Sequence, residues 1–341
     1  MSGTPSPAQA TVLVTGGSGF IGGWCAADLL DAGFSVRTTI RDLRRQSDVR
    51  TMIERGRPVG DRLTVVAADL YKDEGWRDAA RGCDYVIHVA SPMPIGEYRG
   101  HHVLEPARDG TLRVLEAALA AGVRRVVVTS SASAAMPAEK GGITDETVWS
   151  DLPDDPVNNY PRAKTLAERA AWDFSESKGL ELSTVLPAMV QGPVLGPDYS
   201  ASVDVVGLML RGKMPAVPRL GYNVVDVRDL AVLHRLAMTK PEAAGQRFFG
   251  SGEFVWMREM AEILQRRLGP EASRVSRLPL PDIVVRIGAL FNDVLKQMEP
   301  GLGVRSDVPT TKAETVLGWR GRPAEDCIVD TARSLIDRGL V

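Results

Sequence analysis

Cysteine is scarce: Cys25, Cys83 and Cys327 are the only three in 341 residues, odd in number and far apart. They match no zinc spacing and imply no disulfide framework, so a reduced, cytoplasmic setting is expected. A charge excess is lacking too. The 41 Lys and Arg stand against 43 Asp and Glu, a formal net charge of −2. That balance gives no electrostatic reason to expect nucleic acid or an anionic membrane as a partner. No apolar run approaches the length of a transmembrane helix. The opening MSGTPSPAQA has neither a basic start nor an apolar core, so it reads as a short tail and not as a signal peptide. Histidine is limited to four residues, and His101-His102 lack partners at metal-ligand spacing, so no metal site is expected. Lysine is rare as well: only eight of the basic residues are lysine, the other 33 being arginine.

What is present reads as an ordinary globular protein, 44% hydrophobic and 25% charged. Its length exceeds the usual limit for one core, which implies one large domain with an appended lobe, or two domains. TVLVT (11–15), FSVRTTI (34–40), LTVVA (63–67), DYVIHVA (84–90), RRVVVTS (124–130) and LSTVLP (182–187) are apolar, β-branched runs of strand length. Between them lie segments of helical period, such as FIGGWCAADLLDAG and GTLRVLEAALAAG. Continuous apolar strands separated by helices signify a parallel sheet buried on both faces. The expected fold is α/β, a Rossmann-type doubly wound parallel sheet with a smaller, mostly helical C-terminal substrate lobe. After Pro187 the pattern loosens into Gly/Pro-rich stretches, with helices near 202–211 and 257–267 and a closing helix in AEDCIVDTARSLIDRGL.

TVLVT runs straight into GGSGFIGG, which contains Gly16, Gly19, Phe20, Ile21 and Gly22. A lone glycine pattern is weak, but this one follows the first strand and opens the first helix, as a dinucleotide fingerprint requires. Gly16 allows the tight turn, Gly19 lets backbone approach a pyrophosphate, and Gly22 permits close helix–strand packing. The division expected is residues 1–187 as the nucleotide-binding domain, joined by a strand returning near 246–250, and 188–341 mainly as the substrate lobe. The second strand ends at Ile40, before Arg41-Asp42-Leu43-Arg44-Arg45. An arginine here suits a ribose 2′-phosphate, and an acidic residue suits a free 2′-hydroxyl. Arg41, with Arg44 or Arg45 as a second cation, favours NADP(H). Asp42 remains the alternative, as a ribose ligand, and a merely solvated basic loop is a third reading. Asp69 and Leu70 are candidates for the adenine wall, and Val89, Ala90 and Ser91 for the ribose–pyrophosphate channel.

NNYPRAKTLAERAAWDF (158–174) places Tyr160 four residues before Lys164. With six tyrosines and eight lysines in the chain, that spacing is uncommon by chance. It opens the helix after the fifth strand, which ends in Thr129-Ser130-Ser131. In a doubly wound sheet these strand ends and helix starts converge on the ligand crevice. Residues at i and i+4 share a helix face, so a lysine ammonium can favour the phenolate form of the tyrosine and tune it for proton transfer. Ser131 can hydrogen-bond a substrate carbonyl. Pro161 is harmless if Asn158 or Asn159 caps the helix, because it then falls in the first turn. His88 ends an apolar strand and reads as a packed residue, and Asp154-Asp155 read as a turn.

Together TGGSGFIGG, Arg41, HVASP, TSSAS and YPRAK resemble the extended short-chain dehydrogenase/reductases. RDLRR, VIHVASPM, TVWSDL, YPRAKTLAERAAWDF, LPAMVQGP, VVDVRDLA and TKAETVLGWRGRPAEDCIVDTARSLIDRGL resemble, more narrowly, their dihydroflavonol-reductase and aldehyde-reductase branch. The resemblance covers nearly the whole chain. It implies Ser131, Tyr160 and Lys164 as a catalytic triad, Pro187 and Met189 beside a nicotinamide, and NADPH-dependent reduction of a carbonyl to an alcohol, reversible in direction. Two positions depart from the pattern. Ala163 replaces a serine that has no catalytic role, and Met136 stands where plant dihydroflavonol reductases place an asparagine that contacts the flavonoid. Met93, Pro94 and Met136 suggest an apolar pocket for an aromatic or aliphatic aldehyde or ketone, or else methionines that fill the core. The partner expected is therefore a small carbonyl or alcohol substrate, and the protein a monomer or homodimer. A nucleotide-sugar epimerase or dehydratase, a 3β-hydroxysteroid-type dehydrogenase and a non-catalytic NADP(H)-binding module are the alternatives.

Overall fold

The computed structural model describes residues 7–56, 58–92, 104–137, 141–142, 144–155 and 158–341. Strands β1 (Thr11–Thr15), β2 (Ser35–Ile40), β3 (Leu63–Ala67), β4 (Tyr85–His88), β5 (Arg125–Thr129) and β6 (Leu182–Pro187) lie where the apolar runs put them. Short strands follow: β7 (Met189–Gln191), β8 (Val217–Pro218), β9 (Gly221–Asp226), β10 (Arg247–Gly250), β11 (Phe254–Trp256) and β12 (Pro279–Leu280). The main sheet has seven strands in the order β10-β6-β5-β4-β1-β2-β3, every pair parallel. From β1 the chain winds outward through β2 and β3, then returns to the other side of β1 with β4. The crevice beyond the carboxyl ends of β1 and β4 is thus the point where strand order reverses, the place where such sheets bind ligands.

Side-chain alternation explains why these strands carry apolar residues on both faces. Val12, Val14, Ile87, Val127 and Val185 point into one core, and Leu13, Val86, Val126, Val128 and Leu182 into the other. Helices cover both faces. On the first side lie α1 (Phe20–Asp31), α2 (Gln46–Glu54) and α7 (Val227–Thr239). On the second lie α3 (Trp76–Ala80), α4 (Leu104–Ala120) and α5 (Asn159–Lys178). Each fully buried Val or Leu contributes roughly 1.5–3 kcal/mol of transfer free energy, so the two faces together dominate the stability of this part of the chain.

No element is expected from sequence at 221–239, yet β9 and α7 fill it. Helix α7 lies against α1 and leads the chain back to β10 at the sheet edge, beside β6. The smaller remainder is mostly helical: α6 (Ala201–Leu210), α8 (Met257–Leu268), α9 (Asp282–Gly288), α10 (Asp293–Met298), α11 (Thr311–Leu317) and α12 (Ala324–Asp337). It also holds two small sheets, β11-β9-β7 and β12-β8. The side chain of Asp226 caps α7 through the Arg228 N–H (2.8 Å) and grips the Arg228 guanidinium, which also reaches Asp330 on α12. That ties the small sheet, α7 and α12 together. Cys25, Cys83 and Cys327 are buried thiols, and no helix among the described residues is long and apolar enough to cross a membrane.

Candidate active site

The glycine turn supplies the first wall. Gly16 has φ 75°, a left-handed conformation that favours glycine. A Cβ at Gly22 would collide with the Gly16 carbonyl oxygen, and one at Gly17 with the Thr38 hydroxyl on β2. These two glycines let helix, turn and strand pack. Gly19 differs. It is the N-cap residue of α1 and provides no side-chain cap, and a Cβ there would meet only the Gly16 carbonyl oxygen, at 3.4 Å. The first-turn N–H groups of a helix have no intrahelical partner, and this uncapped end carries the positive end of the helix dipole. A cradle of that shape and polarity fits the pyrophosphate of a dinucleotide. Phe20 begins the helix buried, and Ile21 is partly buried against the same core.

Beside the turn, Thr15 at the end of β1 fastens the end of β4. Its Oγ1 accepts from the backbone N–H groups of Val89 (3.0 Å) and Ala90 (2.9 Å) and donates to Nδ1 of His88 (2.8 Å). Burial pushes the His88 pKa down to about 3, with the Lys164 charge adding to the effect, so the ring stays neutral. Its role is structural, as its place at the end of an apolar strand implies. Val89, Ala90 and Ser91 are half-buried along this edge. Asp69 accepts from the Tyr71 N–H (3.1 Å), and Leu70 is buried beneath α4, where a Cβ at Gly110 would come within 2.9 Å of its Cβ.

The basic stretch after β2 separates into distinct roles. Arg44 chelates Asp42 at 2.8–3.0 Å, and Asp42 also caps the turn Leu43–Arg45. The side-chain hydrogen bond from Arg44 holds the Asp42 carboxyl below the usual carboxylate range. Arg45 pairs with Asp198 at 2.7 Å. Arg41 is exposed at the strand end, and no ion pair to it is made among the described residues. Of the basic residues expected here, Arg44 thus lies on Asp42 and Arg45 on Asp198, both in exposed pairs.

The second wall is the end of β5 with the start of α5. Asn158 occupies the N-cap position, although its side chain donates to the Pro153 carbonyl (3.0 Å) and does not cap the helix. Asn159, Tyr160 and Pro161 are the first three helical residues, so the proline disrupts no intrahelical bond. Ser131 heads the 3-10 turn Ala132–Ala135, which contacts α5. Its Oγ accepts from the Ser133 N–H (3.2 Å) and the Ser133 hydroxyl (2.9 Å), which leaves its own proton to donate. Lys164 Nζ donates to the carbonyl of Thr129 (3.3 Å), two residues before Ser131. Thr129 in turn donates from Oγ1 to Nε2 of buried His234 (2.8 Å). The helix face of Tyr160 and Lys164 is therefore joined to the strand end carrying Ser131. Pro187 ends β6 buried, and Met189 begins β7 half-buried. Met136 is 46% exposed, so it does not fill a core. Met93, Pro94 and His101-His102 lie outside the described residues.

Two contributors carry no sequence signal strong enough to single them out. Thr15 is an ordinary strand-end residue until its three bonds are seen. Glu168 could have been noticed only as the residue one turn beyond Lys164. Asp154 pairs with Arg162, and Asp155 with Lys296 on α10 (3.0 Å), each binding a cation near the start of α5.

The amine end of Lys164 is enclosed, and this desolvation lowers its pKa from 10.5 to about 8, against the opposing pull of Glu168. Below that value the ammonium is present, and as pH rises through it the charge is lost. If Lys164 holds a nicotinamide cofactor, affinity for that cofactor is expected to be level below about pH 8 and to weaken above it, measured by fluorescence titration. The same titration on Lys164→Met should be flat through that range, and a slope unchanged in the variant would remove Lys164 from the cofactor site.

The chain is similar to known proteins over most of its length. The model of the NAD dependent epimerase/dehydratase family matches residues 12–249. Cinnamoyl-CoA reductase 1 of Petunia hybrida is 33% identical over 336 residues, covering 96% of this chain and 92% of its own. Dihydroflavonol 4-reductase of Zea mays is 32% identical over 288 residues, covering 81% and 79%. Vestitone reductase from alfalfa superposes with a TM-score of 0.75 at 26% identity, over 97% of this chain and 99% of that one. Yeast methylglyoxal/isovaleraldehyde reductase Gre2, complexed with NADPH, gives a TM-score of 0.79 at 24% identity over 97% and 100%, a likeness of fold. The chain belongs to the NAD-dependent epimerase/dehydratase family, the extended short-chain dehydrogenase/reductases, and is an oxidoreductase of its nicotinamide-dependent reductase branch.

Proposed function

We propose that the chain is an NADP(H)-dependent carbonyl reductase, acting reversibly on a hydrophobic aldehyde or ketone through Ser131, Tyr160 and Lys164. The observation that carries this reading is the bond from Lys164 to the Thr129 carbonyl. It sets the Tyr160–Lys164 face of α5 against the strand end of Ser131, beside the switch point and the glycine cradle. The cofactor, when bound, supplies the hydride. Gly16, Gly19 and the first turn of α1 would hold its pyrophosphate, and Arg41 its 2′-phosphate. Ser131 donates its hydroxyl proton to the substrate carbonyl and fixes its orientation. Tyr160 gives the proton that completes the alcohol, and the Lys164 ammonium stabilises the phenolate left behind. In oxidation the same groups act in reverse. Half-exposed Met136 offers a polarizable apolar contact, in keeping with a substrate that carries an aromatic or aliphatic body.

NADPH oxidation against a panel of aldehydes, ketones, dihydroflavonols, cinnamoyl-CoA and steroids, with nucleotide sugars as the contrasting class, tests the reading. Turnover is expected with apolar carbonyl compounds. Conversion of a nucleotide sugar without net NADPH oxidation would replace the proposal with an epimerase or dehydratase. Cofactor choice is tested at Arg41. A charge-assisted bond to phosphate is worth about 1.5–3 kcal/mol, so Arg41→Ala should weaken NADPH roughly 10- to 150-fold and leave NADH nearly unchanged. Equal losses for both cofactors would show that Arg41 does not read the 2′-phosphate.

A further inference from the structure

Behind the end of β5 and the first turns of α5 lies a buried ion pair with no part in the mechanism above. Glu168 and Arg247 are 1% and 7% exposed, and they meet through Nε at 2.8 Å and Nη2 at 3.2 Å. Glu168 stands one helical turn beyond Lys164, on the same face. Its Oε2 accepts from the hydroxyl of Ser130, the neighbour of Ser131, at 2.5 Å, and its Oε1 from Thr184 on β6 at 2.7 Å. Arg247 uses Nη1 on the carbonyls of Glu146 (2.8 Å) and Val148 (2.7 Å), and its guanidinium lies 3.8 Å over the Trp149 ring. One carboxylate thus meets α5, β5 and β6 directly, and β10 and the 146–149 segment through its partner.

Stability alone gives this pair little reason to exist. Desolvating two charges often offsets their attraction, and well-packed apolar replacements are frequently neutral or better. Its location is the informative property. We propose that the Glu168–Arg247 pair is a positioning device: it holds the β5 end bearing Ser131 against the helix face of Tyr160 and Lys164, and keeps a negative charge one turn from the Lys164 amine. This rests on the Ser131–Tyr160–Lys164 reading. Both residues act through others, Glu168 through Ser130 and Lys164, and Arg247 through Glu168.

The charged and titratable groups around this arrangement set the sign of its effects. Lys164 is faced by Glu168 on its own helix and by His88 from β4, which is neutral, and Tyr160 lies one turn before it on the same helix. Glu168 is faced by Arg247 from β10, and Arg247 in turn interacts with Lys312 on α11. Burial lowers the Lys164 pKa and Glu168 opposes that fall. Removing the Glu168 charge, with Arg247 left in place, must therefore lower the Lys164 midpoint further. Removing the Arg247 charge takes a cation away from the far side of Glu168 and is expected to raise it as long as Glu168 stays ionised.

NMR titration of the protein without cofactor, labelled with 13C-lysine, reads this directly. The chain has eight lysines, and Lys164→Arg identifies the resonance. Glu168→Gln is expected to move the midpoint below the wild-type value and Arg247→Met to move it above. A purely structural pair would lower thermal stability in both variants and leave kcat of the folded variants in place. Misplacement of reacting groups by about an ångström costs up to roughly a hundredfold, so kcat of Glu168→Gln should fall about 10- to 100-fold with substrate KM little changed. If the single variants fail to fold, Glu168→Leu/Arg247→Met restores an uncharged, packed site and should keep the loss in kcat. Midpoints within about 0.2 unit of wild type, or a double variant with wild-type kcat, overturn the proposal alone. Full activity of Tyr160→Phe overturns the functional reading and the proposal together.

Discussion

Tyr160→Phe is expected to lower kcat for carbonyl reduction by about 10²- to 10⁴-fold, the range typical of a positioned general acid. NADPH affinity should stay within a factor of about two to three, because the change removes one hydroxyl and leaves the ring, the helix start and the glycine cradle in place. The expectation follows from where Tyr160 sits. It is the second residue of α5, on the face that Lys164 ties to the Thr129 carbonyl. Ser131→Ala should also cost activity, by roughly 10²-fold if its proton stabilises the developing oxyanion. Part of that loss comes from the 3-10 turn, since Ser131 also accepts from the Ser133 N–H. Steady-state kinetics beside cofactor titration separates the two contributions. Near-wild-type turnover in Tyr160→Phe would mean that another group delivers the proton.

Asp226→Ala should destabilise the protein by roughly 3–5 kcal/mol, the range seen when one member of a buried ion pair is removed. Asp226 is fully buried, accepts the Arg228 N–H that starts α7, and binds the Arg228 guanidinium at 2.8 Å through both oxygens. The low end of the range applies if Arg228 keeps its bond to Asp330. Asp226→Asn retains an acceptor for the cap and should lose about 1 kcal/mol less than Asp226→Ala, the usual worth of an N-cap. Unfolding midpoints for both variants test this, and midpoints equal to wild type would show that neither cap nor pair matters. Function should suffer too, because β9 pairs with β7, where Met189 stands. A rise in substrate KM is the expected sign.

The two walls of the site were legible in the sequence for different physical reasons. Parallel strands buried on both faces favour apolar and β-branched residues on both sides, so β1 to β6 were readable as runs of those types, β2 (SVRTTI) mainly by its β-branched residues. The glycine turn was legible because close contacts impose it, at Gly22 against the Gly16 backbone and at Gly17 against the Thr38 side chain. The small sheet β11-β9-β7 was not, since strands of three to six residues carry too few positions to show a period. Charge pairings were the least legible part. Arg44 turns back onto Asp42 only two residues away, a side-chain geometry that composition does not encode. Glu168 and Arg247 find each other across 79 residues, a distance along the chain over which no local pattern reaches.

The position of β10 at the sheet edge has a consequence for the order in which the chain can be completed during synthesis. The glycine turn, Ser131 and the Tyr160–Lys164 helix all leave the ribosome before β10 does. Until residues 247–250 arrive, β6 presents a bare, apolar strand edge open to pairing with another chain, and Glu168 lacks its cation. The last strand of the main sheet therefore does two things in one step: it covers β6, leaving only its own four residues as the edge, and it brings Arg247 to the carboxylate behind the candidate active site. A nascent or proteolysed chain ending before Gly250 would hold every residue assigned to chemistry and still be an aggregation-prone, unfinished enzyme.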